Sequence, residues 1–263
     1  MKPKPSFSRL TFPRLELSRF AFSSLALPVL LLLLMTPGFA RNAKKPKSQP
    51  AAAAVAAPGG NLEAVLAAMN QTSAGFKSAQ GDFEFETYQK LVDEKDTQKG
   101  RIYFRKNKAG VDAAFDIEGP APKQVVYTDG KLRIFEKKIN QVTERAVGKN
   151  KQDVEAFLSL GFGASGADLQ RDYEVKLDGW ETVDGVQTAK LDLTPKNQKL
   201  LQTYNKIILW IDPERDVLLK QQFFEHSGDY RLAHYSNMKL NQKVSEEAFR
   251  LKTNANTKIV TPQ

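Results

Sequence analysis

The apolar positions change period along the chain. Leu25 to Met35 is an almost unbroken apolar run, preceded by Lys2, Lys4, Arg9, Arg14 and Arg19 and followed by Thr36-Pro37-Gly38-Phe39-Ala40. A membrane span needs about 20 apolar residues. A shorter run behind a basic segment, ending in a small-x-small site, predicts a signal peptide over residues 1–40, cleaved after Ala40. Residues 41–60 show no periodic apolar face. Their Lys, Pro and Ala content, closing on Pro58-Gly59-Gly60, predicts a disordered linker that has too little apolar surface to offset its ordering entropy.

From Asn61 the period becomes helical. Leu62, Val65, Leu66, Met69 and Phe76 form one stripe, behind an Asn that can cap a helix, and the helix is expected to end near 73–75. The stripe suits an ordinary core contact or a helix closing a sheet cavity. From Asp82 the period is two. Phe83, Phe85 and Thr87 share one face, and Glu84, Glu86 and Tyr88 the other. Asp93-Glu94-Lys95-Asp96 reads as a turn and 100–106 as the return strand. Further strands are expected at 111–117, 124–128, 131–135 and 141–146. Asp129-Gly130 marks a tight hairpin, because a type I′ turn needs positive φ at both central residues. Asp153, Val154, Phe157, Leu158 and Leu160 suggest a second helix, closed by the glycine-rich 161–166. Strands resume at 173–177, 187–193, 207–211, 217–225 and 230–240, with a short helical turn between 194 and 204. Ser245 caps a turn before a last strand near 249–252. About ten or eleven antiparallel strands, two helical inserts and no βαβ pattern predict one mainly β domain over 61–263, its single sheet strongly curved or barrel-like.

Composition narrows the chemistry. The chain has 39 Lys plus Arg against 30 Asp plus Glu, a formal charge of +9. Five of those bases lie in the leader beside one acid, Glu16, and four lie in the linker, which leaves residues 61–263 at +1. With no basic stripe interleaved with aromatics, no nucleic-acid partner is expected. Zero Cys excludes disulfides, thiolate catalysis, Cys-bound metal and a lipid-anchoring cysteine on this chain. His226 and His234 have no i, i+4 histidine partner, so no metal site is expected. Asp93, Glu94 and Asp96 lack the spacing of a calcium loop. No Gly-x-Ser-x-Gly elbow occurs, and 161–166 lacks the Lys-Ser/Thr of a phosphate loop. No catalytic residue and no cofactor is expected, and the chain is not read as an enzyme.

What remains is surplus apolar surface, with strands such as 102–104 and 207–211 apolar on both faces. A curved sheet with an apolar concave face, capped by helices, suits a lipid-sized pocket. The alternative is that the helices simply fill the barrel as its core. The pocket candidates are Leu66, Met69, Phe83, Phe85, Phe104, Phe115, Ile134, Phe157, Leu160, Phe162, Leu193 and Trp210.

The order of these features resembles the LolA-type periplasmic lipoprotein carriers. It is carried by the first helix, Phe83-Glu84-Phe85, Gly100-Arg101-Ile102-Tyr103-Phe104, Tyr127-Thr128-Asp129-Gly130-Lys131, Gln141-Val142-Thr143, Leu191-Asp192-Leu193-Thr194-Pro195-Lys196, Ile208-Leu209-Trp210-Ile211-Asp212-Pro213, and Tyr235-Ser236-Asn237 with Asn241, Val244 and Phe249. The resemblance spans Asn61 to the C-terminus. It implies a half-open antiparallel β-barrel with helices as a lid over the hydrophobic concave face. It implies a monomeric periplasmic carrier whose cargo is acylated lipoproteins. An inner-membrane ABC transporter would supply that cargo and an outer-membrane receptor lipoprotein would accept it, with only transient membrane contact. A lipid- or envelope-stress-sensing module on the same fold is the alternative. Two departures are visible. The family's third-strand arginine, which holds the lid through backbone carbonyls, has no counterpart in Val111-Asp112-Ala113-Ala114-Phe115-Asp116. The family's late Pro-x-Gly is replaced by Asn254-Ala255-Asn256.

Overall fold

A computed structural model describes residues 60–119, 121–215 and 217–262. The signal peptide expected over 1–40 and nearly all of the 41–60 linker lie outside the described residues. The chain opens with helix α1 (Leu62–Ser73), whose Ala64 N–H donates to the Asn61 side chain at 3.0 Å and whose Val65, Leu66 and Met69 are buried. Six strands follow: β1 (Ser78–Gln89), β2 (Glu94–Asn107), β3 (Gly110–Ile117), β4 (Lys123–Thr128), β5 (Lys131–Glu136) and β6 (Gln141–Ala146). Helices α2 (Lys151–Ser159) and α3 (Gly166–Asp172) lead to β7 (Tyr173–Val183) and β8 (Val186–Pro195). Helix α4 (Gln198–Thr203), β9 (Tyr204–Asp212), β10 (Val217–Glu225), β11 (Tyr230–Leu240) and β12 (Lys258–Val260) complete it.

All twelve strands form one unclosed sheet, ordered β12-β6-β5-β4-β3-β2-β1-β11-β10-β9-β8-β7. Every neighbouring pair is antiparallel except β12 and β6. The sheet is thus two meanders, β1–β6 and β7–β11, joined along the single β1/β11 ladder. The hairpin signal holds at Asp129-Gly130, and Asp184-Gly185 makes the same kind of turn between β7 and β8; all four residues have positive φ.

Alternation sets what each face carries. Phe83, Ile102, Phe104, Val125, Tyr127, Leu191, Leu193, Ile207 and Leu209 point into one large inner core with the buried faces of α1, α2 and α3. The outer face of β1 and β2 is ionic. Glu84 pairs with Lys99 at 2.7 Å and Glu86 with Lys95 at 2.9 Å, so these carboxylates form a solvated ladder and not a catalytic pair.

The sequence expectations need four corrections. Among the described residues there are twelve strands, where about ten or eleven were expected. The turn after β1 is 90–93, and Glu94 already pairs with Gln89. Residues 246–249 form a 3-10 turn, capped by Ser245 as expected, and no strand follows at 249–252. There Val244 and Phe249 pack on Ala114 and Val126 across the outer face, with Leu251 against them. The last strand is β12, which is parallel and only three residues long; its Ile259 is 71% exposed, so no apolar alternation announces it. Finally, α3 was not expected. Its signal is the capping box Ser165-x-x-Asp168, in which Asp168 N–H donates to Ser165 Oγ at 3.0 Å and Ser165 N–H to Asp168 Oδ2 at 3.2 Å. Three glycines in six residues masked it.

Candidate functional site: an aromatic cavity beneath a helical lid

The first element of the site is the chain between β6 and β7. Residues 147–172 run from β6 near one end of the sheet to β7 at the other, carrying α2 and α3. The amphipathic face of α2 buries Val154, Phe157 and Leu158. The 160–164 segment then turns inward, with Leu160, Phe162 and Ala164 all buried. Gly163 has φ +73°, and a Cβ there would collide with the Phe76 ring, so this turn closes only over glycine. Gly166 opens α3 where a Cβ would meet the Leu66 carbonyl, which lets α3 lie directly on α1.

Aromatic contacts fasten this segment to both meanders. Phe162 stacks on Phe104 of β2 with ring centroids 5.9 Å apart, and meets Tyr235 of β11 edge-on at 5.1 Å. Phe157 lies 5.4 Å from Phe223 of β10. A polar latch adds to these. Lys106 Nζ, at the end of β2, donates to the Gly163 carbonyl at 2.5 Å and lies 5.5 Å from the Phe76 ring centroid. β3 lacks an arginine, and a lysine on the adjacent strand makes a lid-to-carbonyl contact. Lys151 Nζ of α2 donates to the Ala109 carbonyl at 2.8 Å, and Tyr127 Oη donates to Glu155 at 3.3 Å.

Beneath the lid lies a cavity of about 60 Å³. Of the twelve expected pocket residues it brings together Phe85, Phe104, Phe115, Phe157, Leu160 and Phe162. Leu66, Met69, Phe83, Ile134 and Leu193 belong to the same inner core but do not line it. Trp210 is the correction. On β9, Ile207, Leu209 and Ile211 point inward, so Trp210 points outward with Ile208, among Val183, Val217 and Leu219. Its Nε1 donates to Glu181 at 2.7 Å, and the Lys220 ammonium lies 4.3 Å from its ring centroid. Apolar residues on both faces of β9 hid this parity.

Two polar residues on the cavity wall were not anticipated: Gln221 of β10 and Arg231 of β11. Arg231 is 7% exposed; its Nη1 donates to Tyr204 Oη at 2.7 Å and its Nη2 pairs with Glu225 at 2.8 Å. Burial pushes the Tyr204 hydroxyl up to about 12, against the pull of Arg231, so it meets the guanidinium as a neutral phenol. Gln221 Oε1 accepts from Tyr235 Oη at 3.2 Å. The inward set of β11, Arg231-Ala233-Tyr235, has too little apolar character to mark a buried face.

A wider cleft of about 810 Å³ lies outside the lid, between α2 and the rim formed by α3, β7 and α4. It is lined by Phe157, Leu160 and Leu200 but also by Lys106, Asp168 and Arg171. Asp168 is held below the usual aspartate range: burial raises it, but hydrogen bonds from Ser165 and Arg171 together outweigh burial. His226 Nε2 lies 2.8 Å from the Leu201 carbonyl and His234 Nε2 lies 2.7 Å from Asp184, each apart from the cavity. Among the described residues no group of three or more His, Cys, Asp or Glu is placed to hold a metal ion, and no helix is long and apolar enough to cross a membrane.

A family model described only as an uncharacterized protein matches residues 163–254. No curated protein matches the chain by sequence. Among solved structures, the chain is similar to MucB at 19% identity and a TM-score of 0.47, covering 76% of this chain and 65% of that one. It is similar to the Mycobacterium tuberculosis lipoprotein LppX at 12% identity and a TM-score of 0.45, covering 70% and 98%. A LolA superfamily protein from Nitrosomonas europaea shows 15% identity and a TM-score of 0.37, covering 73% and 99%. The chain therefore spans about two thirds of MucB's length.

Proposed function

We propose that this chain is a divergent LolA-type carrier that shelters the acyl chains of lipoproteins in transit from the inner to the outer membrane, without making or breaking a bond. The observation that carries this reading is the aromatic cavity, covered by a helical segment strung between β6 and β7 near the two ends of an unclosed sheet. The order of sequence motifs from Asn61 onward supports it. In this reading residues 1–40 direct export and 41–60 tether the folded domain. Cargo would come from an inner-membrane ABC transporter and pass to an outer-membrane receptor.

The closed cavity sets the energetics. At about 60 Å³ it is far smaller than ligand pockets, which run from about 300 to 1,000 Å³. Loading therefore requires the lid to withdraw. Exposing Phe157, Leu158, Leu160 and Phe162 costs about 1.5–3 kcal/mol each, or about 6–12 kcal/mol together. A buried acyl chain returns about 0.8 kcal/mol per CH₂, so about 8 to 15 methylenes offset the opening. A near-balanced exchange suits a carrier, because a donor or acceptor with a modest preference then sets the direction of transfer.

The direct test is native mass spectrometry of the protein purified from periplasm, with release of lipoprotein from inner-membrane vesicles as the functional assay. Co-purifying acylated protein and vesicle release support the carrier. A ligand-free protein that releases nothing overturns it, and capture of an unacylated signalling partner alone would favour the sensor reading. At single residues, Phe157→Glu is expected to abolish cargo binding; unchanged binding by a folded variant removes Phe157 from the cargo site.

A further inference from the structure

Within the cavity, one feature does not serve apolar burial. Arg231 lines the wall, is more than nine-tenths buried, and its Nε–H has no hydrogen-bond partner among the described residues. Its other contacts, to Tyr204 and Glu225, hold the guanidinium in place and neutralise it. An orphaned buried donor is costly, and this one sits where the proposed cargo would lie. Gln221 stands diagonally across the β10/β11 ladder, since Gln221 pairs with Ala233 and Phe223 with Arg231. Its carbonyl is engaged by Tyr235, so what it can present to a ligand is its amide N–H.

Together these groups offer N–H donors with no net charge to neutralise. Resting on the carrier reading above, we infer that Arg231 and Gln221 form a subsite for a neutral carbonyl oxygen, the ester carbonyl at the head of a fatty-acyl chain. A carboxylate fits less well, because Glu225 already balances the guanidinium and a second anion would be buried without a counter-charge. The site fixes where the head of a chain stops, while the aromatic wall takes methylenes in any register.

The test compares undecane, methyl decanoate and decanoate, each displacing a polarity-sensitive fluorescent probe from the full-length protein. Affinities are read against each compound's partition from water into liquid hexadecane, which an all-apolar cavity would reproduce. The ester is expected to exceed that reference by about tenfold over the alkane, the effect of one charge-assisted hydrogen bond. The excess should fall toward one in Gln221→Leu and in Arg231→Lys, the lysine keeping a charge beside Glu225 so that the fold survives. An ester-to-alkane ratio matching hexadecane in the wild type, or an excess that persists in both variants, overturns the subsite and leaves the carrier standing. Decanoate binding more tightly than its ester also overturns it. Binding of none of the three overturns both this inference and the carrier reading beneath it.

Discussion

Single side chains decide how firmly the lid is shut. Lys106 reaches from β2 to the Gly163 carbonyl, so Lys106→Met removes a charge-assisted bond while keeping most of the stem. Lys106 is exposed, so solvent screens the bond and its loss costs about 0.5–1.5 kcal/mol. The expected outcome is faster amide exchange confined to 160–166 and faster loading of an acyl probe; exchange unchanged in that segment would remove Lys106 as a latch. Gly163→Ala acts from the other side: a side chain at positive φ, aimed at Phe76, is expected to cost at least about 1–2 kcal/mol in urea unfolding. At this scale the sequence was legible where one face was plainly apolar, as for Phe83 and Phe85. It was opaque where both faces were apolar, as at Trp210, and where an inward position was polar, as at Gln221 and Arg231. Strand parity carries no sign of its own, and only packing shows which face is inside.

Among the elements, α3 supports the lid from its C-terminal end. Its capping box holds the chain where 160–164 turns out of the cavity, so Ser165→Ala is expected to cost about 1 kcal/mol, read from urea midpoints. The box also carries a pH dependence. Asp168 is held below the 3.8 of a free aspartate, so its contribution is complete above that value and is lost as pH falls through the lower folded one. The stability gap between wild type and Asp168→Asn should therefore be full near about pH 6, begin to shrink near 3.8 and vanish only below the lower folded value; a gap constant across that range would place the cap elsewhere. Elements with a period or a tight turn were readable in advance. α3 and β12 were not, the first because its N-terminus is crowded with glycine, the second because it is a short parallel edge with no apolar face.

For the whole molecule, the sheet order has the larger consequence. The two meanders meet only at β1 and β11, and their far strands, β6 and β7, are consecutive in the chain but not paired. Loading is expected to spread those strands as the lid leaves. Spin labels at Ala146→Cys and Glu174→Cys, the sole cysteines of the variant, should move apart when methyl decanoate binds. A distance distribution unchanged by bound ligand would confine the motion to the helices. The outer-face run from β11 to β12, with Arg105 paired to Glu246 and its guanidinium 4.3 Å from the Phe249 ring centroid, binds the first meander from behind.

The lid's attachment at both ends then takes on a mechanical meaning. Residues 147–172 are not a flap with a hinge of their own but a drawstring threaded between two banks. Its slack, and not the strength of any one contact, limits how wide the mouth gapes. If the chain is the carrier proposed above, lengthening or shortening that cord is expected to change the largest cargo admitted even if every residue touching the cargo stays the same.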